Sequence, residues 1–387
     1  MRIALMIDSD GPGGAEAMIF RLAEDLRRRG DEVVPVAPRR GTGWLGALYR
    51  NAGFSIEDWW LDRPPLDPRG VWRLAKFFRA QKVDVVHSHE FTMAVYGCAA
   101  TRIVGLPHVI TIHGGVGVCA VLRRRMALRW AMRNSEHTVM VSRATARQYG
   151  SELGLPENNF VVVPNGVPVH IGNAAAVRRE FEVRDDELVI LAVGNLEPHK
   201  GHRVLIDALA RLDERGVPPR WRLIIAGGRG GREHQSLLEQ IRSRRLEERV
   251  QIATGRSDVP DLLALSDIYA MPSLVEGLPM ALLEAMVAEK PIVASITAGI
   301  PEAIVDRRDG LLVPPGDVGA LADALALLLT DRKLRERLAI ASGARGRTEF
   351  TVDVMANRYR EIYDSAAVKR NARPVDRVGS RGRDSAA

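Results

Sequence analysis

Two successive series of short apolar runs, separated by segments long enough for helices, constrain the fold of this chain most strongly. The first series is RIALMID (2–8), EVVPVA (32–37), VDVVHSH (83–89), HVITIH (108–113), HTVMVS (137–142) and FVVVP (160–164). These runs are nearly continuous in Val, Ile and Leu, which is typical of parallel strands buried on both faces. The alternation of strand and helix therefore predicts a doubly wound α/β domain.

The same alternation of apolar runs and helix-length segments begins again in the second half of the chain. The second series is LVILAVG (188–194), RLIIAGG (222–228), VQIAT (250–254), IYAMP (268–272) and PIVAS (291–295). We predict two Rossmann-like parallel-sheet domains, residues 1–170 and 171–350, joined through the Gly-, Pro- and Asn-rich stretch 165–176. Ligands in such folds bind beyond the carboxyl ends of the strands, so the site is expected in a cleft between the domains.

The end of the chain differs in composition from both predicted domains. Residues 351–365 have the pattern of one more helix, and residues 366–387 are rich in Arg, Gly and Ser with little apolar content. A segment that cannot bury apolar surface stays unfolded, so we expect a disordered basic tail.

Composition excludes several classes of protein. With 46% hydrophobic and 27% charged residues over 387 positions, the chain is not fibrous, coiled-coil or mostly disordered. No apolar stretch reaches the length of a membrane-spanning helix, and acidic residues follow the first apolar run too early for a secretory signal. A cytoplasmic protein is expected, in which Cys98 and Cys119 are small core residues.

The net charge of +7 is carried by the first predicted domain and the tail. This excess of Lys and Arg fits attraction to anionic lipid or to a phosphorylated ligand, and equally a simply solvated basic surface. Nucleic acid is not an expected partner, because no nucleic-acid-binding motif accompanies the charge.

A glycine-rich turn follows the first predicted strand. Gly11, Gly13 and Gly14 lie before a predicted helix, whose free N–H groups could bind a phosphate. The spacing is not that of a dinucleotide fingerprint, so an ordinary strand-to-helix turn remains the alternative.

Histidines end two neighbouring predicted strands. His113 ends the TIH run before two glycines, and His87 and His89 end the preceding strand. Packing and hydrogen bonding are the more general roles for such residues. A metal site is a weaker alternative, since no carboxylate pattern completes it.

A cationic loop opens the second predicted domain. Gly194 and Gly201 bracket Lys200 in VGNLEPHKG, and Arg203 follows just inside the next helix. Cations at this position could neutralise a diphosphate, although a solvated surface loop would have the same sequence pattern.

The segment EGLPMALLEAM (276–286) is the most specific part of the sequence. Glu276 lies in a predicted loop, Pro279 in the first turn of a helix and Glu284 eight residues after Glu276. A loop carboxylate and a helix carboxylate two turns later can face one ligand, and carboxylates accept hydrogen bonds from sugar hydroxyls.

At these residues the chain resembles the family 4 retaining glycosyltransferases, which have the GT-B fold. The resemblance extends from GPGGAE (11–16) to YREIYD (359–364). It is carried by TIHG (111–114), VSRAT (141–145), VPNGV (163–167), VGNLEPHKG (193–201), IIAGG (224–228), DVPDLLALSDIYAMPS (258–273), EGLPMALLEAM (276–286) and GIPEAI (299–304). The resemblance implies a hexosyltransferase that moves a sugar from a nucleotide sugar bound by the second domain to an acceptor bound by the first.

Roles on the donor side follow from this resemblance. Lys200 would bind the diphosphate, Glu284 the ribose hydroxyls and Glu276 a hydroxyl of the donor sugar. The backbone of residues 277–279 would assist Glu276. These backbone positions are Gly277, Leu278 and Pro279.

The resemblance assigns further residues to the cleft. Gly13 and Gly14 would approach the phosphates or the sugar from the first domain, and His113 would contact the donor sugar. Arg143 and Glu302 are additional possible members of the site.

Metal-independent transfer is expected, without any cofactor. An Asp-x-Asp occurs only at residues 8–10, before the glycine turn, so Lys200 would stabilise the charge of the leaving diphosphate. No second carboxylate is placed as an obvious nucleophile, which favours attack by the acceptor on the same face as the leaving group.

One position departs from the family pattern. Asn195 stands where many members have Arg, so the expected diphosphate site has one cation fewer. Asn195 is still expected to border the donor, and Arg203 or Arg229 could compensate for the missing charge.

The remaining alternatives concern partners and reaction class. The segment 121–133 combines arginines with apolar residues and fits either an ordinary domain helix or weak association with an anionic membrane surface. A UDP-sugar is the expected donor, with a GDP-sugar next, and the expected acceptor is a saccharide or lipid-linked hydroxyl in cell-surface polysaccharide or glycolipid synthesis. A nucleotide-sugar 2-epimerase and a non-catalytic nucleotide-sugar-binding relative are the alternatives to a transferase.

Overall fold

The computed structural model describes residues 1–38, 43–59, 67–114, 118–216, 220–228 and 231–372. Within these residues the chain forms two parallel sheets, each covered by helices on both faces. The predicted α/β architecture of two Rossmann-like domains is confirmed.

The first sheet has seven parallel strands in the described part of the chain, in the order β3-β2-β1-β4-β5-β6-β7. Its strands are β1 (Arg2–Met6), β2 (Glu32–Pro38), β3 (Glu57–Trp59), β4 (Val85–His89), β5 (His108–Ile112), β6 (His137–Met140) and β7 (Phe160–Val162). Its helices are α1 (Gly14–Arg28), α2 (Trp44–Asn51), α3 (Pro68–Ala80), α4 (Glu90–Val104), α5 (Leu122–Asn134) and α6 (Arg143–Leu153).

The second sheet has six parallel strands among the described residues, in the order β10-β9-β8-β11-β12-β13. Its strands are β8 (Leu188–Val193), β9 (Trp221–Gly227), β10 (Val250–Thr254), β11 (Ile268–Met271), β12 (Ile292–Ser295) and β13 (Leu311–Val313). The helices that follow the first sheet are α7 (Ala174–Glu180), α8 (His202–Glu214), α9 (Arg232–Ser243), α10 (Val259–Leu265), α11 (Met280–Val287), α12 (Ile300–Ala303), α13 (Val318–Thr330), α14 (Arg332–Glu349) and α15 (Val352–Ala372).

Every predicted apolar run contains a strand, and the sequence prediction missed only two of the strands described here. These are β3 and β13, three residues each, at the outer edges of the two sheets. β3 contains two acidic residues and so has no continuous apolar run, whereas β13 is apolar but is followed directly by Pro314 and Pro315, which interrupt the run.

Side-chain caps set the start of several helices. The side chains of Asp67, Ser142, Asn173, Asp317 and Asp331 each accept a hydrogen bond from a backbone N–H in the first turn of the helix that follows. Such caps satisfy donors that the helix itself leaves unpaired.

The last helix corrects the prediction for the end of the chain. We expected a helix to residue 365 and disorder from residue 366, but α15 continues to Ala372. Packing on the first domain explains why the helix does not stop at residue 365, because Tyr359, Tyr363 and Ala366 are fully buried, whereas Val368 further along is exposed. The remaining tail, residues 373–387, lies outside the described residues.

One hydrophobic cluster includes residues of both domains. It joins Ile19 of α1, Met280 of α11 and Tyr359 of α15. Cys98 is buried in the core as predicted, whereas Cys119 is only partly buried, and both are free thiols. None of the described helices is both long and apolar enough to cross a membrane.

Candidate active site

The loop between β11 and α11, residues 272–279, is called the Glu276 loop. In it, Glu276 Oε1 accepts hydrogen bonds from Lys200 Nζ at 2.7 Å and from Ser273 Oγ at 2.8 Å. The Glu276 side chain is only 7% exposed and that of Lys200 21%. The structure therefore places the two predicted residues side by side, where β8 and β11 end next to each other in the sheet.

Gly201 allows this close arrangement. It has φ +70°, and a Cβ at this position would lie 1.9 Å from the Pro272 carbonyl oxygen. Only glycine adopts this backbone conformation and tolerates this contact without strain. The short 3-10 turn Pro198–Lys200 is thereby held against the Glu276 loop.

Glu284 lies on α11, as predicted, and is partly buried. Burial raises the pKa of its carboxyl to about 7, and Arg21 of α1 lowers that pKa in part. Burial raises the pKa of the Tyr269 hydroxyl, and the nearby carboxylates of Glu284 and Glu276 raise it further. Pro279 precedes α11 as its N-cap instead of lying in its first turn, and proline has no N–H to offer a ligand.

The glycine turn of the first domain faces α11 across the cleft. A Cβ on Gly14 would lie 3.3 Å from Met280 Cγ, so this backbone borders the second domain directly. Gly13 is the N-cap of α1, and a Cβ there would meet the Glu16 carboxylate at 2.2 Å. A phosphate that approached Gly13 would therefore meet a buried carboxylate as well as free N–H groups.

His113 follows β5 and is held at both its backbone and its ring. Its N–H donates to Glu90 Oε1 at 3.1 Å, and its Nε2 hydrogen-bonds His89 Nδ1 at 3.0 Å. Burial lowers the pKa of the His113 imidazole to about 4, and the Asn165 side chain raises it in part. The ring is therefore neutral at pH 7. It lies at the interface between the domains, because a Cβ on Gly277 would be only 2.3 Å from the His113 carbonyl oxygen.

The structure does not support the metal alternative for the three histidines. His87 uses both ring nitrogens in hydrogen bonds, to the Tyr363 hydroxyl at 2.7 Å and to Thr111 Oγ1 at 2.8 Å. Across the described ranges, no group of three or more His, Cys, Asp or Glu side chains is positioned to hold a metal ion.

Arg143 and Glu302 meet across the domain boundary, but through the backbone of Arg143. The Glu302 carboxylate accepts from the N–H groups of Arg143 at 2.8 Å and Ala144 at 2.7 Å, and so caps α6 from the other domain. The Arg143 side chain instead lines a cavity of about 180 Å³ that also contains Glu349 and Arg358. This contact therefore joins the two domains.

Arg203, which was expected to replace the missing family arginine, is bonded to another helix of its own domain. Arg203 donates to Glu233 Oε1 at 2.8 Å and also bonds Ser236, both on α9. A role on a diphosphate would require it to leave these partners. Asn195 lies at the end of β8 beside Gly228, and Arg229 is outside the described residues.

Two residues at the centre of this arrangement were assigned no role from sequence. Glu90 adopts φ +63° at the start of α4, and burial raises the pKa of its carboxyl to about 7, with smaller contributions from Asp8 and Glu16. Asn165, 4% exposed, donates from Nδ2 to the Leu278 carbonyl oxygen at 2.9 Å. The motifs HSHE and VPNGV contain these residues, but no spacing rule reveals contacts between distant segments.

Comparisons with known proteins agree with this geometry. Residues 12–170 match the family model described as Glycosyltransferase Family 4, and residues 174–344 match the model Glycosyl transferases group 1. The chain is similar to the phosphatidyl-myo-inositol mannosyltransferase of Mycobacterium leprae, with 30% identity over 95% of this chain and 97% of that protein. It also resembles a Campylobacter jejuni N-acetylgalactosaminyltransferase that acts on N,N'-diacetylbacillosaminyl-diphospho-undecaprenol, with 24% identity over 91% of this chain and 96% of the relative.

Solved structures support the fold. Anabaena HepE in complex with UDP superposes with a TM-score of 0.83 at 23% identity, over 94% of this chain and 100% of the HepE chain. Sucrose-phosphate synthase from Thermosynechococcus elongatus gives a TM-score of 0.80 at 20% identity, over 95% of this chain and 100% of the other. Family models match both domains, and the family motifs meet at one cleft. This chain therefore belongs to the family 4 glycosyltransferases of the GT-B fold, which transfer a sugar from a nucleotide sugar to a saccharide or lipid acceptor.

Proposed function

We propose that this chain is a retaining, metal-independent hexosyltransferase of the cytoplasm. Its donor is a UDP-sugar, with a GDP-sugar as the next candidate, and its acceptor is a saccharide or lipid-linked hydroxyl in cell-surface polysaccharide or glycolipid synthesis. The observation that carries this proposal is the Lys200–Glu276 pair, at 2.7 Å, directly across the cleft from His113.

Lys200 supplies the positive charge that the leaving group needs. Negative charge develops on the β-phosphate as the glycosidic bond breaks, and a fixed cation in a partly buried site stabilises it strongly. Lys200 and Glu276 form an ion pair, so a bound donor contacts both residues at once. Its diphosphate then lies on Lys200, and one of its sugar hydroxyls hydrogen-bonds Glu276. The N–H groups of Gly277 and Leu278 lie on the same loop and can add to these contacts.

Glu284 is proposed to bind the ribose. An ionised carboxylate accepts two hydroxyl hydrogen bonds at once, which suits a vicinal diol. The position of Glu284, the fifth residue of α11 after the Glu276 loop, suits a nucleoside that extends away from the sugar.

Retention is proposed to proceed by attack of the acceptor on the face from which the diphosphate leaves. The carboxylate best placed for the sugar, Glu276, is engaged by Lys200 and Ser273, which makes it a poor nucleophile. The departing phosphate then accepts the proton of the acceptor hydroxyl. Trapping of a covalent glycosyl-enzyme, or an inverted anomeric centre in the product by NMR, would contradict this mechanism.

Relatives support the choice of donor and acceptor. HepE was solved with UDP and with UDP-glucose, and the C. jejuni relative acts on a lipid-linked diphosphate. We propose the same classes of ligand for this chain.

A weak association with anionic membrane is proposed for α5. Leu122, Met126 and Trp130 are 66%, 63% and 41% exposed and recur every four residues, so they form one stripe on the solvent side of the helix. The buried face is made by Leu128, Ala131 and Met132 instead. Exposed arginines surround the stripe, and apolar and basic groups together suit an anionic lipid surface.

The first experiment measures thermal stabilisation by UDP, GDP, ADP and their sugars, since a ligand that binds only the folded state raises its stability. A rise in the unfolding temperature with nucleotides of one base only supports the nucleotide site. This rise should be lost in Glu284→Ala and kept in Glu247→Ala, a control at an exposed position. No shift with any nucleotide would favour a non-catalytic relative.

Turnover then separates the reaction classes. Release of nucleoside diphosphate that requires a saccharide or lipid-linked acceptor, and that survives EDTA, supports metal-independent transfer. Conversion of the nucleotide sugar to its 2-epimer without acceptor would support the isomerase alternative.

A further inference from the structure

Asp10 ends the Asp-x-Asp at residues 8–10, which the proposed reaction does not use. Its Oδ1 accepts hydrogen bonds from the backbone N–H groups of Leu45 at 3.1 Å and Gly46 at 3.2 Å. Its carbonyl oxygen accepts from the N–H of Trp44, also at 3.1 Å. These are the first three N–H groups of α2, which a helix leaves unpaired by itself. One residue of the loop between β1 and α1 therefore completes the start of α2.

Gly43, in the N-cap position of α2, has no side chain with which to cap the helix. A Cβ at Gly43 would lie 1.7 Å from Asp10 Oδ2, so the Asp10 carboxylate fills the space that a capping side chain would take. Gly43 has φ −84°, which every residue type adopts, so glycine is needed here for space and not for backbone freedom. Asp10 and Gly43 are therefore complementary.

Asp10 also leads directly into the glycine turn. Within the turn, the Gly13 N–H donates to the Gly11 carbonyl oxygen at 3.0 Å. A Cβ on Gly14 would lie 3.3 Å from Met280 Cγ of α11 in the second domain. The turn is thus bonded to α2 through Asp10 on one side and borders α11 on the other.

We propose that Asp10 is a positioning residue, which holds the glycine turn and the start of α2 together as one wall of the cleft on the acceptor side. This inference rests on the proposed function, with the acceptor on the first domain. Without the contact between Asp10 and α2, the glycine turn is displaced from its position opposite α11, and the two substrates no longer meet in the reactive geometry.

The conservative variant Asp10→Asn separates positioning from direct chemistry. Its amide oxygen accepts the same two N–H groups, and asparagine caps helices about as well as aspartate. An amide does not replace a general base or a carboxylate that binds a metal ion. Asp10→Asn is therefore expected to keep most of the wild-type kcat/KM for the acceptor. A loss as severe as that of Asp10→Ala would overturn the proposal.

Asp10→Ala is expected to lower kcat/KM for the acceptor by about tenfold or more, because small displacements of bound reactants are costly. Nucleotide affinity should be unchanged, because the proposed nucleotide site lies on the second domain. Asp331→Ala, which removes a side-chain cap from α14, is the matched control for the loss of a helix cap. Wild-type kcat/KM in a folded Asp10→Ala would refute the proposal.

Hydrogen exchange tests the positioning without any substrate. Peptides from residues 43–51 report on α2, and peptides from residues 9–20 report on the glycine turn and the start of α1. Asp10→Ala is expected to raise exchange in both segments, and Asp10→Asn in neither. A rise confined to residues 43–51 would show that Asp10 caps α2 only, and would overturn the proposal.

Gly43→Ala tests the same contact from the other side. Its Cβ displaces the Asp10 carboxylate, so this variant is expected to lower the unfolding midpoint and kcat/KM as Asp10→Ala does. In an Asp10→Ala background, Gly43→Ala should have little further effect, because the contact is already lost. Fully additive losses would contradict the proposal.

The proposed function can fail separately from this inference. A wild type that neither binds nucleotide nor transfers sugar would refute the proposed function. Hydrogen exchange and the unfolding midpoints of the Asp10 and Gly43 variants need no substrate, so they would still show whether Asp10 positions the glycine turn.

Discussion

At the scale of single residues, the site depends on charges that are paired within the protein. Lys200 and Glu276 neutralise each other in a partly buried position, and Arg203, the nearest alternative cation by sequence, is engaged by Glu233. Among the described residues, Lys200 is therefore the cation that the expected diphosphate position depends on most.

Lys200→Ala is predicted to lower kcat by about 10²- to 10³-fold, the usual cost of removing a group that stabilises transition-state charge. The substitution also leaves Glu276 without its cation, so affinity for the donor is expected to change as well. Steady-state kinetics with saturating acceptor measure both, and Lys333→Ala, at an exposed position on α14, is the control. Near-normal turnover would show that Lys200 does not bind the diphosphate.

Nucleotide affinity is predicted to depend on pH through Glu284. Burial raises the pKa of this carboxyl to about 7, and only the ionised form accepts two ribose hydroxyls. As the pH falls below 7, Kd should therefore rise, approaching about tenfold for each unit. Titration calorimetry from pH 5.5 to 8.5 measures this, and Glu284→Gln should bind weakly with a flat profile. A slope that persists in Glu284→Gln would assign the pH dependence to another group.

At the scale of secondary-structure elements, α6 is completed by the other domain. Ser142 caps the helix from within, whereas the N–H groups of Arg143 and Ala144 are satisfied by Glu302 of α12. A carboxylate at a helix N-terminus is favoured by both hydrogen bonds and the helix dipole. The contact joins the two domains on one side of the cleft.

Glu302→Ala is predicted to weaken domain closure by about 1 kcal/mol, the typical cost of a lost helix cap. The radius of gyration in X-ray scattering should increase, and kcat should fall more than nucleotide affinity does. Glu361→Ala, exposed on α15, serves as the control. Unchanged scattering and kinetics would limit Glu302 to a local cap.

The exposed stripe of α5 gives a second prediction at this scale. Met126→Asp is expected to reduce sedimentation with vesicles that contain phosphatidylglycerol, because it adds negative charge and removes apolar surface. Ile340→Asp, on α14 and similarly exposed at 67% against 63% for Met126, should have no effect. Equal sedimentation of wild type and Met126→Asp, or none with anionic vesicles, would remove α5 as a membrane contact.

At the scale of the whole molecule, the chain returns to the domain in which it began. The helix α15 packs on α1, β4 and β5, and Tyr363 bonds His87 beneath the site. The first domain is therefore built from both ends of the sequence.

Truncation after Phe350 is predicted to unfold the first domain. It removes several fully buried side chains, and each large one contributes about 2–5 kcal/mol against a typical total of about 5–15 kcal/mol. Tyr363→Phe, which keeps the ring and loses only the hydroxyl, should cost about 1 kcal/mol. Circular dichroism and proteolysis measure the outcome, and a truncated chain with two cooperative domains would contradict it.

The sequence by itself determined the two-domain α/β fold and the buried strands, and it predicted which residues would lie on the donor side. Continuous apolar runs report burial directly, and the pair Glu276 and Glu284 forms a local pattern along one segment. Lys200 was also predicted as a donor-side residue, because its loop follows an apolar run that predicts a strand.

Only the tertiary structure decided which distant groups meet. The roles of Asn165, Glu90 and Glu302 depend on contacts between segments far apart in the chain, and so does the extension of α15 to Ala372. A sequence pattern records spacing along one element, whereas hydrogen bonds across a cleft depend on how two domains pack, which no local pattern specifies.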